Sequence, residues 1–271
     1  MIESIEIGLN ELSDKWKCIV FHMVMLPSHK LLFADMLNKE VRIVDIQATR
    51  QISHLQLPGK PFRLCVLPGD RAAVSYSDVR DIQILDVNSD QLKLLNRVRI
   101  VGLLSGLAYL NNKYVVGYSR PAYVALLNNE GKHFKSLSKD YAGHDLFRNI
   151  CDMCVTTEKN NPTIYVADNI ARTITRLSEK LEVLQTFTPQ NQYTPNSLAA
   201  TGGGQLLVSG RRLLKPDTLF VLDTNTGVFE ELLETAWQSG PFSTGPVAFC
   251  PRLGHVYLTT VSGSINVYAI S

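Results

Sequence analysis

Six stretches of the chain repeat one arrangement of apolar and polar positions. They are Leu31-Leu-Phe-Ala-Asp35, Ala72-Ala-Val-Ser-Tyr76, Tyr114-Val-Val-Gly-Tyr118, Ile164-Tyr-Val-Ala-Asp168, Leu206-Leu-Val-Ser-Gly210 and Val256-Tyr-Leu-Thr-Thr260. Each is a mainly apolar run of strand length whose fourth residue is small: Ala34, Ser75, Gly117, Ala167, Ser209 and Thr259. These residues recur at intervals of 41, 42, 50, 42 and 50.

About ten residues before each small residue lies a second apolar segment. Its aligned position is Met23, Leu64, Leu107, Met153, Leu198 or Val247. After the small residue a third apolar run ends in a turn-forming polar residue, as in Val41–Asp45, Ile82–Asp86, Val124–Asn128 and Leu219–Asp223. Turn sequences follow, such as Asn128-Asn-Glu-Gly131 and Asp223-Thr-Asn-Thr-Gly227. A fourth strand comes next, such as Gln91–Leu95 or Leu181–Gln185. Each unit therefore predicts an antiparallel four-stranded meander of about 40–50 residues, the period of a propeller blade. Blades are packed on both faces, so their inner strands are continuously apolar rather than alternating. The expected fold is all-β: one six-bladed β-propeller domain over residues 1–271 with four-stranded antiparallel blades.

The sixth unit ends on its third strand, Ile265–Ile270, and Glu3–Gly8 supplies the missing fourth. The N-terminal strand is thus expected to complete the last blade, covering an edge that would otherwise be open to aggregation. The two long intervals place insertions at residues 137–149 and 229–244, on the face where one blade hands over to the next. Loops on such a face carry function more often than strands do.

Apolar residues make up 45% of the 271, and the net charge is +2, so a disordered tail is excluded. No apolar run approaches the roughly 20 residues of a membrane span, and the opening Met-Ile-Glu-Ser-Ile-Glu does not read as a signal peptide. Cys18, Cys65, Cys151, Cys154 and Cys250 are odd in number and read as buried, reduced thiols of an intracellular, cytoplasmic protein. Cys151-Asp-Met-Cys154 has zinc-like spacing but no second pair to complete it.

The segment Thr163-Ile-Tyr-Val-Ala-Asp-Asn-Ile-Ala-Arg-Thr-Ile-Thr-Arg-Leu177 resembles the NHL-repeat signature, and Leu32–Asp35 with Asn38 and Val41–Ile43 resembles it more weakly. The other four units keep the strand pattern and lose the Asp. The chain is therefore similar to a divergent NHL-type propeller, as found at the C-termini of TRIM-type (RING/B-box) ubiquitin ligases. The resemblance implies substrate recognition for ubiquitination by a non-enzymatic module, with single-stranded RNA binding as the alternative.

Related six-bladed folds include metal-dependent lactonases, whose ligands sit at the axial ends of the inner strands. Those positions are here Phe21, Phe62, Ser105, Cys151, Asn196 and Gly245, followed by His22, Arg63, Gly106, Asp152, Ser197 and Pro246. A hard cation needs about six oxygen ligands, several of them carboxylates. Two phenylalanines and an arginine oppose that, so neither a metal nor another cofactor is expected. His22 reads as an inner-strand histidine satisfied by a backbone carbonyl. Gly202-Gly-Gly204 lacks a phosphate loop's Lys-Ser/Thr and reads as a hairpin turn.

The loops between second and third strands carry Lys39, Arg80, Arg120, Arg172, Arg211, Arg212 and Lys215 against four acids, Glu40, Asp78, Asp81 and Asp217. Arg63 and Arg148 in the crossovers add to the same face. Guanidinium groups suit carboxylate or phosphate. Tyr76, Tyr118 and Trp237 are the candidate aromatic anchors. A protein partner or acidic peptide is favoured on this face. Single-stranded RNA would use the tyrosines as stacking platforms.

Overall fold

A computed structural model describes residues 4–9, 14–88, 91–158, 161–189, 193–212, 218–234, 245–259 and 263–270. Their strands form six four-stranded antiparallel sheets, the blades of a six-bladed β-propeller. Blade 1 comprises Val20–Met25, Lys30–Asp35, Glu40–Asp45 and Arg50–Gln56; blade 2 comprises Pro61–Leu67, Arg71–Tyr76, Asp81–Asp86 and Lys93–Arg99. Blade 3 is Gly106–Leu110, Lys113–Ser119, Ala122–Leu127 and His133–Leu137. Blade 4 is Ile150–Glu158, Asn161–Asp168, Thr173–Ser178 and Val183–Phe187. Blade 5 is Thr194–Gly202, Gln205–Arg211, Thr218–Asp223 and Phe229–Glu234. Blade 6 takes Val247–Cys250, His255–Thr259 and Ser264–Ala269 from the end of the chain and its outer strand, Ser4–Gly8, from the beginning.

The repeated register explains the repeated sequence. Met23 pairs with Phe33, Leu64 with Val74, Leu107 with Val116, Met153 with Val166, Leu198 with Val208 and Val247 with Leu258. In every blade the aliphatic column thus faces the residue just before the small one. Turn chemistry is equally regular. Asp45 accepts the N–H groups of Gln47 and Ala48, and Asp223 those of Asn225 and Thr226. These backbone donors hold both carboxyls below the usual range. Asn128 and Ser178 close the corresponding turns of blades 3 and 4 in the same way.

The chain forms two compact units, Met1–Leu103 with Gly245–Ser271, and Leu104–Thr244. In the first, one apolar cluster fills the space between blades 6 and 1 through Ile7, Leu9, Met23, Phe33 and Tyr257. A second lies between blades 1 and 2 and includes Leu32, Ala34, Leu64 and Val74. Arg42 of blade 1 is fully buried on the side facing the N-terminal strand. It donates to the Leu9 carbonyl at 3.1 Å and pairs with Asp14 at 2.5 Å and Asp35 at 2.9 Å. A guanidinium cannot be buried without such partners. The contact ties the chain leaving the N-terminal strand to blade 1.

In the second unit, Val115, Phe147, Ile150, Met153 and Val166 pack between blades 3 and 4. Tyr165, Ala167, Tyr193, Leu198 and Val208 pack between blades 4 and 5. Gly106 and Gly117 pair across blade 3 beneath Met153. A Cβ on Gly117 would lie 2.8 Å from Ile150 Cγ2 and 2.9 Å from Met153 Sδ. The small residue in this blade is therefore set by the neighbouring blade's side chains. The five cysteines are free thiols, four buried and Cys154 half-buried. No helix of the described residues is long and apolar enough to cross a membrane.

Candidate functional site

At the axial ends of the inner strands, four blades share a register shift: between Val20 and His22, Pro61 and Leu64, Ile150 and Asp152, and Pro195 and Ser197. The skipped residues are Phe21, Phe62 with Arg63, Cys151 and Asn196, so four of the six axial positions read from the sequence lie on bulges, which re-aim side chains. Phe21 stacks on Phe62 with centroids 4.5 Å apart, and the buried Arg63 guanidinium lies 4.8 Å from the Phe62 ring centroid. Arg63 is therefore packed on two rings rather than displayed on the loop face.

The polar residues that follow the bulges bond to main chain. His22 Nδ1 accepts the N–H of Leu64 at 3.3 Å, and Asp152 Oδ2 accepts that of Leu198 at 2.9 Å. Both bonds run from one blade to the aliphatic column of the next. His22 thus accepts from a backbone amide. Cys151 donates to the carbonyls of Ala167 and Pro195, each at 3.4 Å, and with Cys154 packs toward blade 5. Among the described residues no three His, Cys, Asp or Glu side chains group so as to hold a metal ion.

In a meander the loop between second and third strands and the crossover to the next blade emerge at the same end. On blades 1 and 2 that end carries the exposed Lys39 and Arg80, interleaved with acids. Asp78 accepts the Lys60 N–H, and Asp81 lies 3.7 Å from Arg97 and 3.8 Å from Arg99.

On blades 3 to 5 the same end is built differently. Asp168, fully buried at the close of the Ala-Asp motif, accepts four backbone N–H groups. Two belong to the incoming crossover, Arg148 at 2.5 Å and Asn149 at 2.9 Å; two belong to its own loop, Ile170 at 3.0 Å and Ala171 at 2.7 Å. Asn149 Nδ2 donates to Asn169 Oδ1 at 2.6 Å, bracing the same two segments. Ser119, next to Arg120, donates to the Ile150 carbonyl at 2.9 Å. Three segments from two blades are thereby pinned around residues 148–150. Each carries an exposed arginine: Arg120, Arg148 and Arg172. Arg211, also exposed, pairs with Thr194 at the corresponding edge of blade 5. Among the described residues none of these four guanidinium groups has a carboxylate partner.

Other anchors expected from the sequence are not at the surface. Tyr76 is 1% exposed and Tyr118 is 6% exposed, because a propeller blade is covered on both faces up to its strand ends. Tyr76 belongs to the cluster between blades 1 and 2, and Tyr118 stacks on Tyr123. Burial pushes both phenols above their ordinary range. Arg212 pairs with Glu231 and covers Phe220, which makes it part of the blade. Trp237, Lys215 and Asp217 lie outside the described residues. Exposed apolar side chains on the crossover and loop that Asp168 joins include Ile170, 59% exposed, and Tyr141, 95% exposed. Sequence reasoning passed over both, although Ile170 stands inside the quoted motif.

At the opposite end of blades 4 and 5 lies a polar cleft of about 640 Å³, lined in part by Asn161, Arg176, Glu179, Lys180, Glu182 and Asn225. Its charges alternate in sign, and its described lining contains no His or Cys.

No protein-family model and no curated protein matches the chain in sequence. Solved structures do match in fold. A streptogramin B lyase superposes with a TM-score of 0.69 at 11% identity, covering 100% of this chain and 98% of its own. The Cps50 (Swd1) β-propeller domain of Myceliophteria thermophila gives 0.63 at 11% identity, over 93% of this chain and 84% of that one. Hydrazine synthase of Kuenenia stuttgartiensis gives 0.62 at 11% identity, over 93% and 77%. At such identity the likeness is one of fold alone, and one fold hosts both catalytic and non-catalytic proteins.

Proposed function

We propose that the chain is a non-enzymatic interaction module that docks a partner protein on the arginine-bearing end of blades 3 to 5. The observation that carries this reading is the convergence of Arg120, Arg148 and Arg172 around one crossover, anchored by Asp168 and Ser119. Exposed guanidinium groups without a carboxylate partner among the described residues, on backbone that is hydrogen-bonded in place, are suited to an acidic partner. The titratable residues His22 and Asp152 near the axis are engaged with backbone amides, which favours a structural role for them. The NHL-like strand pair Ile164–Leu177 supports a place among TRIM-type C-terminal propellers, where docking would select substrates for a ubiquitin ligase.

The test is the triple variant Arg120→Glu/Arg148→Glu/Arg172→Glu, compared with wild type by affinity capture and by cross-linking to protein and to RNA. All three side chains are exposed, so the melting temperature should stay within about 2 °C. Partner capture should fall at least tenfold. Capture of RNA by the wild type, weakening by about 0.7 log units per log salt for each phosphate neutralised, would mark the nucleic-acid alternative. Retention of every partner by the triple variant would reject this face.

A further inference from the structure

Ile170 lies between the exposed arginines in a loop whose own chemistry does not call for it. The turn after Asp168 is made by Asp168 accepting the N–H groups of residues 170 and 171, and by Arg172 at φ 58°. A polar side chain at 170 would serve that turn as well. One exposed aliphatic residue is ordinary on any surface. Here a second apolar group stands on the crossover that Asp168 anchors. Tyr141 sits in a loop closed by the bridge between Lys139 and Asp145 and by the Leu146 N–H bond to the Ser138 carbonyl. Inside it Asp140 accepts the N–H groups of Ala142 and His144, each at 2.9 Å, so the backbone that presents Tyr141 is fixed. A fixed backbone carrying an exposed ring loses little entropy on binding, as a docking anchor requires.

Resting on the docking face proposed above, we infer that its occupant is an acidic peptide segment with an apolar side chain. The carboxylates pair with Arg148 and Arg172, and the apolar group packs on Ile170 with Tyr141 as the aromatic anchor. Charge complementarity sets the sign of the occupant, since the guanidinium groups are unmatched among the described residues. The aliphatic contact sets its kind. A strand of bases gains its binding from successive stacking platforms; Ile170 offers no π-face and Tyr76 and Tyr118 are buried, so Tyr141 beside an aliphatic contact suits a peptide side chain better than a run of bases. A peptide carries both a carboxylate and an apolar side chain within a few residues.

A displayed library of random twelve-residue peptides selected on the full chain tests this. Selected peptides are then synthesised, labelled and titrated against wild type, Arg148→Glu, Ile170→Ser and Tyr141→Ala. The expected result is a set of peptides with Asp or Glu flanking an apolar residue. Arg148→Glu should weaken them at least tenfold, and Ile170→Ser should weaken them at least fivefold with an unchanged melting temperature. Replacing the peptide's apolar residue by Ser should remove the effect of Ile170→Ser. Acidic peptides that respond to Arg148→Glu but not to Ile170→Ser would overturn this inference and leave the docking face standing. Failure to select any peptide sensitive to Arg148→Glu would overturn both. A labelled uridine dodecamer that binds more tightly than every selected peptide would also overturn the peptide assignment.

Discussion

A single carboxylate decides the shape of the candidate face. Asp168 has no contact with solvent and satisfies four main-chain donors from two segments. Its replacement by Ala leaves those donors without an acceptor in a buried place, at a cost of about 3 kcal/mol. We expect Asp168→Ala to lower the urea midpoint clearly and to weaken partner capture even though the four arginines remain. A variant with unchanged stability would show that water replaces the carboxylate at no cost. The sequence displayed Asp168 as part of a motif, but not the donors it would collect, because half of them lie twenty residues earlier on another segment. Tyr76 and Tyr118 misled for a related reason. Nearness to a loop in sequence suggested exposure, whereas cover by the adjacent blade and by Tyr123 reaches to the strand ends. Ile170 was legible as an apolar residue in a turn, yet its significance depends on Arg148, which only the fold brings beside it.

At the level of the blade, the repeat in the sequence became the register almost residue for residue. Each member of the aliphatic column faces the residue preceding the small one. A small residue stands at this point in every unit, where a blade is packed on both faces. In blade 3 the cause is more specific: Gly117 and Gly106 form a floor on which Met153 and Ile150 of blade 4 rest. The two glycines should differ in tolerance. The atoms nearest a Cβ on Gly106 belong to the flexible Met153 side chain, whereas the one nearest a Cβ on Gly117 belongs to the β-branched Ile150. Gly117→Ala should cost about 2 kcal/mol by overpacking, and Gly106→Ala less. Thermal unfolding of the two single variants measures the difference. If Gly106→Ala proved the more damaging, the floor would owe its shape to something other than these contacts. The bulges were not legible, because the extra residue in four of the inner strands shows itself only in the pairing.

For the molecule as a whole, the two ends of the sequence meet in one sheet, and stability should depend on that meeting. Ser4–Gly8 pairs antiparallel with Ser264–Tyr268, with Ile5 opposite Val267 and Ile7 opposite Ile265. Ile7 and Leu9 are buried in the cluster between blades 6 and 1, and the Leu9 carbonyl is one of the groups that accept from the buried Arg42. Deleting residues 1–9 removes both side chains from that cluster, a loss of about 4 kcal/mol. It also uncovers the edge of Ser264–Ala269 and takes one acceptor from a guanidinium that cannot be buried without partners. For a chain of this size the melting temperature should fall by roughly 10 °C. Addition of a synthetic peptide of residues 1–9 should restore part of the loss, since the groove it left still carries the matching register. An unchanged melting temperature would mean that the outer strand only decorates blade 6. A loss that the peptide cannot restore would mean that covalent continuity through Asp14, rather than the strand pairing, holds the two ends together.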